Sequence, residues 1–149
     1  HSGEFGRVEF QNEMTDKIEE LLEKPYWVID ILPEQVPEKD GGQFFAVEAW
    51  FLKDPALRRK QASFLLKLNC YYDLTIVRDE EEIRNPKPEE SAALIGREYL
   101  NILVGRSALI AADPTDIYMT LYNPDEKMLG LIGKLATAEG LYVRKGIAS

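Results

Sequence analysis

The side chains that most often carry chemistry are scarce in this chain. Of its 149 residues, one is a histidine, His1, and one is a cysteine, Cys70. Imidazole is the usual proton carrier and metal ligand near neutral pH, and here it is confined to the first residue. Cys70 has neither a nearby histidine to activate it nor a second thiol to pair with. Nucleophilic triads, zinc sites and internal disulfides fall away together, so no catalytic residue, no metal and no cofactor is expected. The thiol follows Leu68-Asn69 at the end of a helical pattern and reads as a small buried apolar side chain.

Carboxylates are the main chemical vocabulary left. Asp30 lies inside YWVIDIL and Glu48 inside FFAVEAWF. A carboxylate in an apolar run is costly to bury unless it is paired. The simpler reading is that each faces solvent from an alternating element. If the two converge, they form an acid/base pair, and the alternative function is a histidine-free enzyme. Asp113 and Asp116, in Asp-Pro-Thr-Asp, are explained by turn chemistry. Asp79-Glu80-Glu81-Glu82 does not converge on one point and reads as a solvated loop or helix start, or as an electrostatic patch for a basic partner. The Gly-x-Gly-x-x-Gly, Gly-x-x-x-x-Gly-Lys-Ser/Thr and Gly-x-Ser-x-Gly patterns are all absent.

Tyrosine offers recognition rather than catalysis. Ile117, Met119 and Leu121 alternate with Tyr118, Thr120 and Tyr122, as in a half-buried strand. A helix over 126–139 and a strand at Leu141 to Lys145 follow, and such a unit normally links parallel strands. If that helix covers the Ile117/Met119/Leu121 face, Leu141 and Val143 share its core. Tyr118, Tyr122, Tyr142 and Arg144 then lie on the opposite face. Either a second helix layer buries them, or they form a recognition surface, because Tyr and Arg are enriched in binding hot spots. Pro33 to Gln43 is a long charged loop, the kind that is commonly functional. Within it Glu34 and Val36 are expected to join the contact surface, and Gly41-Gly42 reads as a flexible turn.

The elements that must position these residues are partly legible. Asp16 with Glu19 resembles a capping box, Ile18, Leu21 and Leu22 give a stripe, and Pro25 stops the helix. Tyr26 to Leu32 reads as a buried strand, while Phe44 to Leu52 is apolar at nearly every position and fits strand or helix. Asp54-Pro55 opens a helix with Leu57, Gln61, Phe64, Leu65 and Leu68 on one face. Asp73 to Val77 reads as a strand, Arg78 to Lys87 as a loop, and Pro88 as the start of another helix. Gly105-Arg106 fits a two-residue hairpin turn between Asn101–Val104 and Ser107–Ala111. Asn123-Pro124-Asp125-Glu126 starts a helix striped by Met128, Leu129, Leu131, Ile132 and Leu135, with Gly140 ending it. These elements predict an α/β fold, with α+β also possible: one domain with a mixed sheet of about five or six strands and packed helices.

Eighteen basic against 26 acidic residues leave a net charge of -8. Such a field repels polyanions and argues against nucleic acid or an anionic membrane as the partner. No apolar run reaches the ~20 residues of a membrane span, and one cysteine suits a reducing, cytoplasmic setting. Residues 1–12 open with His1-Ser2-Gly3 and read as a tag or vector remnant, leaving 13–149 as the domain. The expected function is non-catalytic binding of another protein, as an inhibitor, immunity-type factor or adaptor, with a homodimer as the other form of partner.

Overall fold

The computed structural model describes residues 13–37, 41–79 and 81–146. Residues 1–12, read above as a tag, lie outside the described residues. Seven strands form one open sheet: β1 Tyr26–Asp30, β2 Leu74–Arg78, β3 Glu81–Arg84, β4 Leu100–Val104, β5 Ala108–Ala112, β6 Met119–Tyr122 and β7 Tyr142–Lys145. Their spatial order is β3-β2-β4-β5-β6-β1-β7, and each neighbouring pair is antiparallel. The helices are α1 at 13–22, α2 Gly41–Lys53, α3 Pro55–Asn69, α4 Pro88–Leu94 and α5 Glu126–Ala138. This is the α+β form of the expected fold. β6 and β7 do run parallel, as the strand-helix-strand unit predicts, but β1 lies between them, antiparallel to both.

The main core lies between one sheet face and α3, α4 and α5. Asp54 caps α3 by accepting from the Ala56 backbone N–H at 3.0 Å, and Asp125 caps α5 by accepting from Met128 at 2.8 Å. The expected stripe of α3 is buried as read, with Ala62 added. α5 contributes Met128, Ile132 and Ala136, and Gly140 ends it at φ 76°. These side chains meet Ile29, Met119, Leu121 and Leu141, so the predicted sharing of one core by β6, α5 and the last strand is observed. The opposite face carries a smaller core, in which Ile18 and Leu21 of α1 pack on Leu103 and Leu109, with Met14, Val77 and Tyr122 at its margin.

Several local readings are corrected. The stretch expected as a loop after Arg78 contains β3, pairing Ile76 with Ile83. Ile83 is the one apolar residue among charges, too weak a signal for a strand, yet the charges suit a sheet edge. α1 is already formed at Glu13, so Asp16 and Glu19 lie inside it rather than at its cap. Leu22 is exposed, leaving Met14, Ile18 and Leu21 as its packing stripe. Gly41 and Gly42 are the first residues of α2, not a turn. The β4–β5 connection has three residues, Gly105-Arg106-Ser107, because Val104 pairs with Ala108. Cys70 is exposed. It caps α3 two positions past Leu68, which is about 200° around a helix from the buried stripe.

Candidate functional site

Alternation sorts the residues of β1 and β6 onto opposite faces. Trp27 and Ile29 go with Met119 and Leu121 to the main core, while Tyr26, Val28 and Asp30 share the other face with Tyr122, Thr120 and Tyr118. α1 covers only part of that second face. Over β1, β6 and β7 it stays open as a cleft of about 710 Å3, a size typical of ligand sites. Its floor is Tyr26, Val28, Asp30, Tyr118, Thr120, Tyr122 and Arg144. One wall is the segment Leu32 to Pro37, and another is Phe44 and Phe45 of α2.

The six residues singled out from sequence are divided by the structure. Tyr118, Tyr122, Arg144, Glu34 and Val36 all line this cleft. Tyr142 does not. It lines a separate, more open hollow with Pro33, Val143 and Gly133, and its side chain is exposed. β7 is an edge strand, so no further strand holds the Tyr142 ring over the sheet. Neither of the two readings of the tyrosine face is complete. Tyr122 joins the α1 core at its margin, whereas Tyr118 is half-buried at the cleft.

Other site residues escaped the sequence reading. Tyr26 stands opposite Tyr122, their ring centroids 5.8 Å apart and tilted by 39°. Tyr26 lies against the backbone of Gly146, where an added Cβ would come within 2.1 Å of Cε2. Only glycine leaves room for the ring there, and the Gly146 N–H donates to the Tyr26 carbonyl at 2.8 Å. The period-two pattern of YWVIDIL was signal enough to pair Tyr26 with Asp30. Phe44 and Phe45 carried no such signal, because their helix is apolar on all sides.

Asp30 corrects the expectation of a solvent-facing acid: it is only 3% exposed. The Arg144 Nη2 donates to its Oδ2 at 3.0 Å, a diagonal pair across β1 and β7. Asp30 Oδ1 and Arg144 Nε, both buried, have no hydrogen-bond partner among the described residues. A lone buried polar atom costs about 1–3 kcal/mol, so the pair is under-satisfied. Glu48 does not line the cleft. It acts at a distance, with Asp116, on the Tyr118 hydroxyl. That hydroxyl is pushed above its ordinary pKa by burial first, then by Asp116 and Glu48, with Tyr26 and Asp30 adding to the effect.

Beside Tyr118 lies an acidic corner. Asp113 has the turn role read from sequence, accepting from the Thr115 backbone N–H at 2.9 Å and from its hydroxyl at 2.7 Å, bonds that hold its carboxyl below the usual range. Asp116 is shifted the other way. Burial, then Asp113, then Glu48 push its carboxyl up, and Arg58 only partly opposes them. Arg58 is committed to Gln61 Oε1 and the Pro114 carbonyl at 2.9 and 2.8 Å.

α2 is the other anomaly. Only Gln43, Glu48 and Lys53 interrupt its apolar residues after the opening glycines, yet none of its residues with described side chains is buried. Phe45 is 65% exposed and Trp50 62%. The rings of Trp50 and Phe51 meet edge to face, their centroids 4.9 Å apart. Among the described residues no helix is long and apolar enough to cross a membrane, and no three His, Cys, Asp or Glu gather as a metal site.

Fold and surface together define a single-sheet α+β protein with an aromatic cleft and an exposed apolar helix at its rim. No known protein family matches the chain, and neither a curated protein nor a solved structure is detectably similar to it.

Proposed function

We propose that this chain is a non-catalytic binding protein that engages another protein through the cleft and the adjoining face of α2, as an inhibitor, immunity-type factor or adaptor does. The observation that carries this reading is the exposure of α2. An apolar helix whose described side chains are at most half-buried, with Phe45 and Trp50 mostly exposed, is the kind of patch that marks an interaction site. It adjoins a concave, tyrosine-lined floor carrying an arginine, the composition enriched in binding hot spots. The carboxylates favour binding over acid/base work, since Asp30 is tied to Arg144 and Glu48 lies outside the cleft lining.

The test is a comparison of the wild-type chain with a Phe45→Ser/Tyr118→Ser variant, both used to capture proteins from the source cell. The captured protein, remade pure, is titrated against both chains. Binding weakened at least about tenfold, or ~1.4 kcal/mol, in a variant that still folds cooperatively and melts well above the temperature of the titration supports the reading. Equal affinity puts the contact elsewhere. Self-association of the pure chain that the same variant abolishes makes the partner a second copy.

A further inference from the structure

We infer that the occupant of the cleft is a basic protein segment, with a Lys or Arg side chain seated against the rings of Tyr26, Tyr118 and Tyr122 and its charge answered by Glu34 and the corner formed by Glu48 and Asp116. The inference rests on the binding reading above and names the chemistry of the partner.

The first argument is charge. Arg144 is the only basic residue lining the cleft among those described, and its guanidinium is already paired with Asp30. Glu34 remains on the wall. Glu48 and Asp116 add their field at Tyr118, the same field that disfavours ionisation of that hydroxyl. The whole chain carries -8, so the long-range field steers cations toward it and a second copy away.

The second argument is independent of the acids. Three tyrosines and two phenylalanines present ring surface to one space, and ring faces attract a cation by about 0.5–2 kcal/mol. The aliphatic stem of Lys or Arg suits the same apolar walls.

The third is the under-satisfied floor. Among the described residues Asp30 has one oxygen bound and one without a partner, and the Arg144 Nε–H beside it is also unmatched. A peptide segment brings both complements, charged donors for the carboxylate and main-chain carbonyls for the arginine. Both floor atoms are shielded, so docking would have to shift side chains slightly to reach them. A simple cation supplies only the first complement, and a polyanion only the second. Apolar neighbours of the basic residue would lie along Phe44 and Phe45 of α2, which line the cleft.

The experiment titrates the isotope-labelled full chain with two blocked pentapeptides, Leu-Lys-Phe-Lys-Leu and the same sequence with glutamine for both lysines. The amides of residues 26, 118, 122 and 144 should shift, with the lysine peptide at least about fivefold tighter at low salt and the margin shrinking as salt rises. Glu34→Gln/Glu48→Gln/Asp116→Asn changes three residues outside the buried core and should remove most of that preference. Equal affinity for the two peptides overturns the inference while leaving the cleft as a protein-binding site. Absence of cleft shifts with either peptide overturns it as well, and the Phe45→Ser/Tyr118→Ser comparison then judges the broader reading alone. Cleft shifts that appear on concentrating the chain by itself would assign the cleft to a second copy, against the inference.

Discussion

α2 and α3 follow one another in the chain with only Asp54 between them, and their fates are opposite. α3 carries Arg58, Arg59, Lys60 and Lys67, yet it buries six residues against the sheet. α2 is far more apolar and buries none of its described side chains. Composition does not decide burial; arrangement does. α3 places its apolar residues at helical spacing on one side, so a single docking removes them all from water. α2 is apolar around its whole circumference, and contact with one neighbour would leave the rest exposed. A helix of that kind is suited to being enclosed from several sides, and among the described residues its apolar side chains are at most half-buried.

The comparison can be broken most decisively at its two ends. Phe64→Ala in α3, at a position with no exposure, should destabilise the fold by about 3–5 kcal/mol in chemical denaturation. Phe45→Ala or Trp50→Ala in α2 should shift the midpoint by no more than ~0.5 kcal/mol. A large loss from either α2 change would mean that the helix contributes to the fold and is not kept for a partner.

The same contrast recurs within the cleft, at smaller scale. Tyr122 also packs at the margin of the α1 core and against Tyr26, so Tyr122→Ser should cost about 2 kcal/mol. Tyr118, half-buried at the cleft, should cost less than half of that. Equal losses would make both tyrosines one core layer, and the cleft would then be a packing defect rather than a site.

The smallest effect has the reverse sign. Burial, Asp113 and Glu48 raise the Asp116 carboxyl above its unfolded value, so ionising it weakens folding at neutral pH. That penalty fades as pH falls through the folded-state titration of Asp116 and its charge is lost. Asp116→Asn should therefore raise the melting temperature slightly at neutral pH, with the gain shrinking toward acid pH, while weakening the lysine peptide. A variant that gains stability and loses binding would mark a residue kept for function. A variant that melts lower at neutral pH would remove that argument.

The sequence determined the pieces whose signals are local. Asp54-Pro55, Asp125 and Gly140 set helix ends through their own backbone chemistry, and the alternation in β6 fixed which residues turn inward. It also placed Tyr118, Tyr122 and Arg144 on one face, and the scarcity of histidine and cysteine narrowed the chemistry at once. Tertiary structure decided what no local signal encodes. β1 entered between β6 and β7, which brought Asp30 against Arg144 from 114 residues away and set Tyr26 opposite Tyr122. It set Tyr142 apart at the sheet edge and left α2 only partly covered, with Phe45 and Trp50 exposed. The reason is that periodicity states which face of an element is apolar, while the number of neighbours available to cover that face is a property of the whole sheet. α2 and its cleft are where that supply runs short.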